Sequence, residues 1–389
     1  MIEIDKIDFP FKDDYQNKFE SELINIYSGY KKEFEKNIPE KIKNNFDKVM
    51  KDEFFPLIEY IIDDGTVKIN NGKEIEKHYS NISDFRYKHN LDIISKTLKW
   101  CKKNNLPIPN TKLYIWISDR FPWYLENLNK FPIYIYARPK NVFLPIFPDN
   151  TFECLQIDKK YTGECYDWDK IKNLIEQKCD GIKNKNKKNI IYFKGTPTTK
   201  RTYKLREYLE RNQNKIGIPT KVLLDAWTVY EPIYKFCEYQ FLLNLPGHYP
   251  WSNRLKYLFL MDSVVINVNV NTINLKPKYE DPPYITLIDY IVDNKDYVEI
   301  LYKYYRVDSI YMKNRNIESN VIKLQHEEFD KFVKKLNEIY FKLIKSPKKY
   351  KNMAKKTTEK VRKLTNERIY QYIYKGILLN SQFIDKSIH

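Results

Sequence analysis

The chain has 389 residues, too many for one ordinary core and a suitable length for two domains. Its 42 % hydrophobic and 15 % aromatic content excludes a disordered chain, and its net charge of +17 favours anionic partners: nucleic acid, acidic membrane or phosphorylated small molecules. Much of the lysine sits among Asn, Ile and Tyr, as in Lys183–Lys188 (KNKNKK), a mixture that the AT-rich genome of a microbe or virus also produces.

Residues 15–50 carry apolar side chains at three- and four-residue intervals and read as helices, as does Ile93–Lys102. The short apolar runs Leu113–Ile117 (LYIWI) and Ile133–Tyr136 (IYIY) read as buried strands. Lys183–Asn189 is polar and aperiodic, which marks it as an interdomain linker. Beyond it the pattern becomes regular: strand Ile190–Phe193, loop Lys194–Thr202, helix Tyr203–Asn212, strand Lys221–Leu224. Strand Phe241–Leu245, loop Pro246–Pro250, helix Trp251–Met261 and strand Val264–Val268 follow. Strand, loop, helix and strand at this spacing predict βαβ units and a parallel sheet. Helical periodicity returns at Asn320–Leu343 and Tyr350–Ile377. The expected fold class is therefore α/β. The expected domains are 1–185 and 186–360, with a terminal helix, 361–389, packing back on the first domain.

Five cysteines (Cys101, Cys154, Cys165, Cys179, Cys237), odd in number and without a C-x-x-C pair, predict reduced thiols. The start, MIEIDKIDFPF, lacks a basic segment followed by an apolar one, and no run of 18 apolar residues occurs. These features predict a cytoplasmic protein, in the host cytoplasm if the source is a virus. The histidines His78, His89, His248, His326 and His389 show no metal-ligand spacing.

Ligands of a parallel sheet bind outside the carboxyl ends of its strands, where two loops stand. In the first, Lys194 to Arg201, Gly195 admits a close backbone approach and hydroxyl-bearing and cationic residues follow. In the second, Gly247 to Arg254, Ser252 is a candidate N-cap whose helix start attracts an anion, and Arg254 offers a planar fork suited to a diphosphate. Neither loop has the G-x-x-x-x-G-K-[ST] or G-x-G-x-x-G pattern. Taken alone, each loop is better explained by an ordinary turn glycine and a solvated arginine. Spacing by itself predicts an anion site in an α/β domain.

Tyr234–Ile266 (YKFCEYQFLLNLPGHYPWSNRLKYLFLMDSVVI) resembles the protein O-glucosyltransferase and capsule-associated glycosyltransferase family, family 90 of the glycosyltransferases. The matching positions are Cys237, Tyr239, Asn244, Gly247, Ser252, Arg254, Lys256, Leu258, Ser263 and Val265. Tyr192-Phe193-Lys194-Gly195-Thr196 resembles the family's Y-F-R-G-S, and Ile146–Phe152 its I-x-x-P-x-W-T-F without the Trp. The resemblance implies two Rossmann-like domains in the GT-B manner, and inverting, metal-independent transfer of glucose or xylose from a UDP-sugar to a hydroxyl of a protein or glycan. No cofactor is expected beyond that donor substrate. Donor contacts are implied for Lys194, Gly195, Thr196, Arg201, Gly247, His248, Ser252, Asn253 and Arg254. The family's Asp in R-D-Y-P has its counterpart in Asp119 of Ser118-Asp119-Arg120-Phe121-Pro122, with Asp and Arg transposed. Asp119 is thus the expected catalytic base, with Glu280 and Asp281 in reserve.

Two other readings compete. One is a UDP-binding relative without turnover. The other is a basic nucleic-acid-binding protein, which the dispersed charge and the lack of a helix-turn-helix, zinc finger or RNA-binding signature disfavour, so no nucleic-acid partner is expected. The lysine-rich run KSPKKYKNMAKKTTEKVRKL reads as a solvated helix face that could rest against an anionic membrane.

Overall fold

A computed structural model describes residues 4–34, 57–70, 81–117, 132–156, 164–182, 187–197, 205–224, 231–247, 250–275, 278–307 and 315–384. The chain is a mixed α/β protein that divides into two compact units, one of residues 1–155 and 364–389, the other of residues 156–363.

In the first unit, helix α1 (Asp14–Phe34) is followed by strands β1 (Leu57–Asp63) and β2 (Thr66–Ile69), helix α2 (Asn81–Lys103), and strands β3 (Thr111–Trp116) and β4 (Ile133–Ile135). The sheet order is β2-β1-β3-β4. Asp64 and Gly65 close the β1–β2 hairpin with φ of 45° and 64°, a two-residue turn whose twist matches that of the strands. β1 pairs antiparallel with both β2 and β3, and β3 pairs parallel with β4. Two of the three pairings in this sheet are therefore antiparallel, a departure from the doubly wound pattern that the resemblance implies.

The second unit opens with helix α3 (Trp168–Asp180), then β5 (Lys188–Gly195), α4 (Leu205–Asn212), β6 (Thr220–Leu224), β7 (Tyr239–Asn244), α5 (Leu255–Leu258), β8 (Val264–Leu275), β9 (Lys278–Asp281) and β10 (Val298–Arg306). Strands β10-β8-β7-β5-β6 are joined in that order, every pair parallel, and β9 lies antiparallel on β8. The β-branched and aromatic runs IIYF, FLLNL and VVINV form its centre, as a sheet covered on both faces requires. Helices α6 (Arg315–Lys345) and α7 (Pro347–Arg362) follow, and Leu336, Ile339 and Leu343 of α6 share a core with Ile191, Phe241, Ile266 and Ile300. Helix α8 (Asn366–Ile384) belongs to the first unit, where Tyr374 and Leu378 pack with Trp100 and Cys101 of α2.

The boundary falls at 155/156, ahead of the polar stretch 183–189. Helix α3 is covalently tied to the second unit by a disulfide from Cys179 to Cys237, and Trp168 packs on Tyr257. That disulfide corrects the expectation of reduced thiols; Cys101 is a buried free thiol. The odd count misled because it says nothing about which cysteines the fold brings into bonding distance. The predicted helix Tyr350–Ile377 is two helices, broken at residues 363–365, where Thr365 accepts a hydrogen bond from the Arg368 amide and starts a new helix. The lysine-rich run is α7, which buries Tyr350, Ala354, Thr357, Thr358 and Val361 on its other face. No helix among the described residues is long and apolar enough to cross a membrane.

Candidate functional site

The carboxyl end of β5 carries Phe193, Lys194 and Gly195, and strand alternation sends Phe193 to the face covered by α4 and α6. Two arginines meet its ring. The guanidinium of Arg206, on the first turn of α4, lies 5.1 Å from the ring centroid, and that of Arg254, from the loop after β7, lies 5.0 Å from it. Arg254 also stands 5.8 Å from the Phe236 ring. Each cation gains on the order of 0.5–2 kcal/mol from an aromatic face in such a setting.

Gly195 makes room for this arrangement. A Cβ there would stand 2.9 Å from Phe193 Cζ and 3.1 Å from Arg254 Nη2. The fold thus brings Gly195 and Arg254, from the two loops that the sequence singles out, close together.

Arg206 is almost wholly buried. Its Nη1 donates to the Thr196 carbonyl at 2.8 Å and its Nη2 to the Leu245 carbonyl at 3.4 Å, so it bridges the ends of β5 and β7. Its Nε has no hydrogen-bond partner. Burial first, and the Arg254 charge second, push its pKa down to about 9, with Glu207 opposing. An anion beside two guanidiniums that share one ring, one of them buried, would relieve repulsion between them and the cost of burying Arg206.

Lys194 is turned away from Phe193. Its ammonium lies 3.5 Å from Glu231, whose carboxylate also accepts the Tyr192 hydroxyl at 2.8 Å. Thr196 enters the site through its carbonyl, held by Arg206.

In the second loop the Gly247 amide donates to the Trp251 carbonyl at 3.1 Å, and a Cβ on Gly247 would sit 3.2 Å from that same oxygen. Ser252 is not an N-cap, which corrects the expectation. The helix begins at Leu255 and is four residues long, and the Ser252 hydroxyl accepts from the Arg254 amide at 3.3 Å in a turn that precedes it. So short a helix has little dipole to offer, and the positive field here comes from the arginines. Asn253 is exposed, and its carbonyl accepts the Lys256 ammonium at 3.1 Å. Arg201 and His248, and the expected base Asp119, lie outside the described residues. Of the reserve carboxylates, Glu280 accepts the Asn271 amide and Asp281 is buried on β9.

Sequence reasoning missed Arg206 and named Arg201 in its place. The available signal was an arginine on the first turn of a helix that follows a candidate ligand loop.

A second set of polar groups lies on the opposite face of the sheet. Asn244, at the end of β7, donates from Nδ2 to Asn267 Oδ1 at 2.7 Å, and Asn267 donates to Asn269 Oδ1 at 3.1 Å. Asn269 in turn donates to the Glu299 carboxylate on β10. All three amides are buried. Tyr297 joins them, its hydroxyl pKa raised chiefly by burial, and by Asp289 and Glu299, against hydrogen bonds with Asn267 and Asn269.

No curated protein matches the chain. The family model of glycosyl transferase family 90 matches residues 66–281, more than half of its length and a span that runs from β2 to β9 and includes both arginines. The chain belongs to glycosyl transferase family 90, a family of enzymes that move a sugar from a nucleotide-sugar donor to an acceptor.

Proposed function

We propose that the chain is an inverting glycosyltransferase that takes glucose or xylose from a UDP-sugar and needs no metal. On this reading the donor diphosphate lies against Arg254 and Arg206, beside Gly195 and Thr196, with Gly247 and Ser252 shaping the far wall. The observation that carries it is the pair of guanidiniums over one Phe193 ring, 5.0 and 5.1 Å from its centroid. As the acceptor hydroxyl attacks the anomeric carbon, the bond from that carbon to the diphosphate oxygen breaks and negative charge grows on the leaving UDP. Two fixed cations in a partly dry setting stabilise that charge where other transferases use a divalent ion. The proton of the acceptor hydroxyl passes to a carboxylate, for which Asp119 is proposed. The acceptor is proposed to be a hydroxyl of a protein or glycan. Of the two Rossmann-like domains implied by the resemblance, the parallel sheet of the second unit supports one.

Calorimetric titration with UDP, UDP-glucose, UDP-xylose and other sugar nucleotides tests the donor. Saturable binding of UDP, with release of UDP from one sugar nucleotide in the presence of acceptor, supports the reading. UDP binding without any turnover would identify an inactive relative, and no binding of any uridine nucleotide would end the proposal.

A further inference from the structure

A cavity of about 20 Å³ at the end of β7 is lined among others by Asn244, Asn267, Trp251, Ser252, Tyr284 and Thr286. A water or a single hydroxyl needs roughly 10–15 Å³, so the space admits one such group. Asn244 lies on its wall, only 4 % exposed, and its Oδ1 has no hydrogen-bond partner. Leaving a buried carbonyl unmade is costly unless a ligand or water supplies the donor.

The direction of the amide chain explains why the acceptor end faces the cavity. Glu299 is an acceptor only, so Asn269 must turn its NH₂ toward it. Asn269 then presents Oδ1 to Asn267, Asn267 presents Oδ1 to Asn244, and Asn244 is left with Oδ1 for the cavity. Each bond polarises the next, so a carboxylate two residues of relay away strengthens the terminal acceptor.

We infer that Asn244 is a specificity-determining residue that accepts a hydrogen bond from one hydroxyl of the bound donor, and that Glu299 sets its polarity through Asn269 and Asn267. Glu299 is a positioning residue, because it acts only through the relay. The inference rests on the donor reading above, and names the feature of the donor that this face of the loop recognises. A hydroxyl, which can donate, fits a cavity walled by the Asn244 carbonyl and by Asp289, while the diphosphate is left to the arginines on the other face of the sheet.

The test is calorimetry of the intact protein with UDP, 2′-deoxy-UDP, 3′-deoxy-UDP, UDP-glucose, and UDP-glucose lacking in turn the 2-, 3-, 4- or 6-hydroxyl of the glucose. One of these deoxy compounds should bind about tenfold more weakly than its parent, because the carbonyl then stays unpaired. The position that fails assigns the hydroxyl to the ribose or to the sugar. In Glu299→Gln the terminal amide can donate, which allows the whole relay to reverse and turns the Asn244 NH₂ to the cavity. Discrimination at that one hydroxyl should then collapse to less than about threefold, with UDP affinity retained if the hydroxyl is on the sugar. If no deoxy compound binds more weakly than its parent to the wild type, a water fills the cavity and the inference falls. If Glu299→Gln is folded and discriminates as the wild type does, the relay plays no part and the inference also falls. Failure of UDP itself to bind would instead remove the donor reading.

Discussion

Arg206 and Arg254 share the ring of Phe193, and the charge of Arg254 lowers the pKa of Arg206. Burying Arg206 beside a second cation is unfavourable for stability. Substituting Arg254→Ala should weaken UDP binding by about 1.5–3 kcal/mol, the range of a charge-assisted hydrogen bond. The unliganded fold should be affected far less, because the change also relieves Arg206. Isothermal titration with UDP, beside thermal melts without ligand, separates the two effects. Unchanged UDP affinity in a folded variant would sink the site assignment.

Gly195 offers an independent check that leaves both cations in the sequence. A methyl group there meets the Phe193 ring edge at 2.9 Å and Arg254 Nη2 at 3.1 Å. The ring is fixed in the core, so the end of β5 must shift as well as the guanidinium. Gly195→Ala should cost on the order of 1–3 kcal/mol in stability from overpacking and weaken UDP binding at least severalfold. The paired outcome is the discriminating one: a stable Gly195→Ala protein with wild-type UDP affinity would place the diphosphate elsewhere.

The parts of this site that are legible in sequence share a physical cause. The runs IIYF, FLLNL and VVINV are too apolar and β-branched to be anything but interior strands, so the loops at their ends could be located and Gly195 and Arg254 named. Arg206 was not legible, because an arginine inside a predicted helix reads as solvated until the packing of α4 against β5 puts its first turn beside Phe193. The helix predicted over Trp251–Met261 is four residues long, because residues 251–254 are irregular and turn, and the chain leaves the helix toward Asp262 at φ 48°. Asn267 and Asn269 alternate with Val268 and Val270, a pattern that predicts a wet strand face. They are nonetheless buried, and the segment Tyr284–Asp289 helps to enclose them. No local pattern records which distant segment will cover a strand.

Lys187 gives a pH dependence with a definite sign. Its ammonium, buried just before β5, donates to the carbonyls of Met261 and Asp262 and to the Ser263 hydroxyl, at 2.6, 2.8 and 2.9 Å. Burial, with Lys351 and Arg362 adding and Asp262 opposing, pushes its pKa down to about 8 from 10.5. The unfolded chain therefore holds this proton more tightly than the folded one. Between pH 8 and 10.5 the unfolded state binds more protons, so this residue's contribution to stability rises with pH across that window and is flat below it. Other lysines and tyrosines titrate nearby, so the measurement is a difference: denaturant midpoints of wild type and Lys187→Met from pH 7 to 10. The wild type should gain on the variant as pH rises above 8. Parallel curves would show that Lys187 keeps its ordinary pKa.

Asp119 is the residue on which turnover is proposed to depend, and its neighbour makes the prediction specific. The family order places Arg before Asp, whereas this chain has Asp119 before Arg120. A shift of one position at the end of a strand turns a side chain to the other face. If Asp119 takes the acceptor proton, Asp119→Asn should keep UDP affinity within about twofold and lower transfer by roughly 10²–10⁴, the usual worth of a general base. Coupled detection of released UDP measures the second quantity and calorimetry the first. Transfer retained in Asp119→Asn would assign the proton to another carboxylate, and parallel Glu280→Gln and Asp281→Asn variants would identify it. A loss of both affinity and transfer in Asp119→Asn would instead mean that the carboxylate holds the local structure, because a base that acts only on the acceptor proton has no hold on UDP.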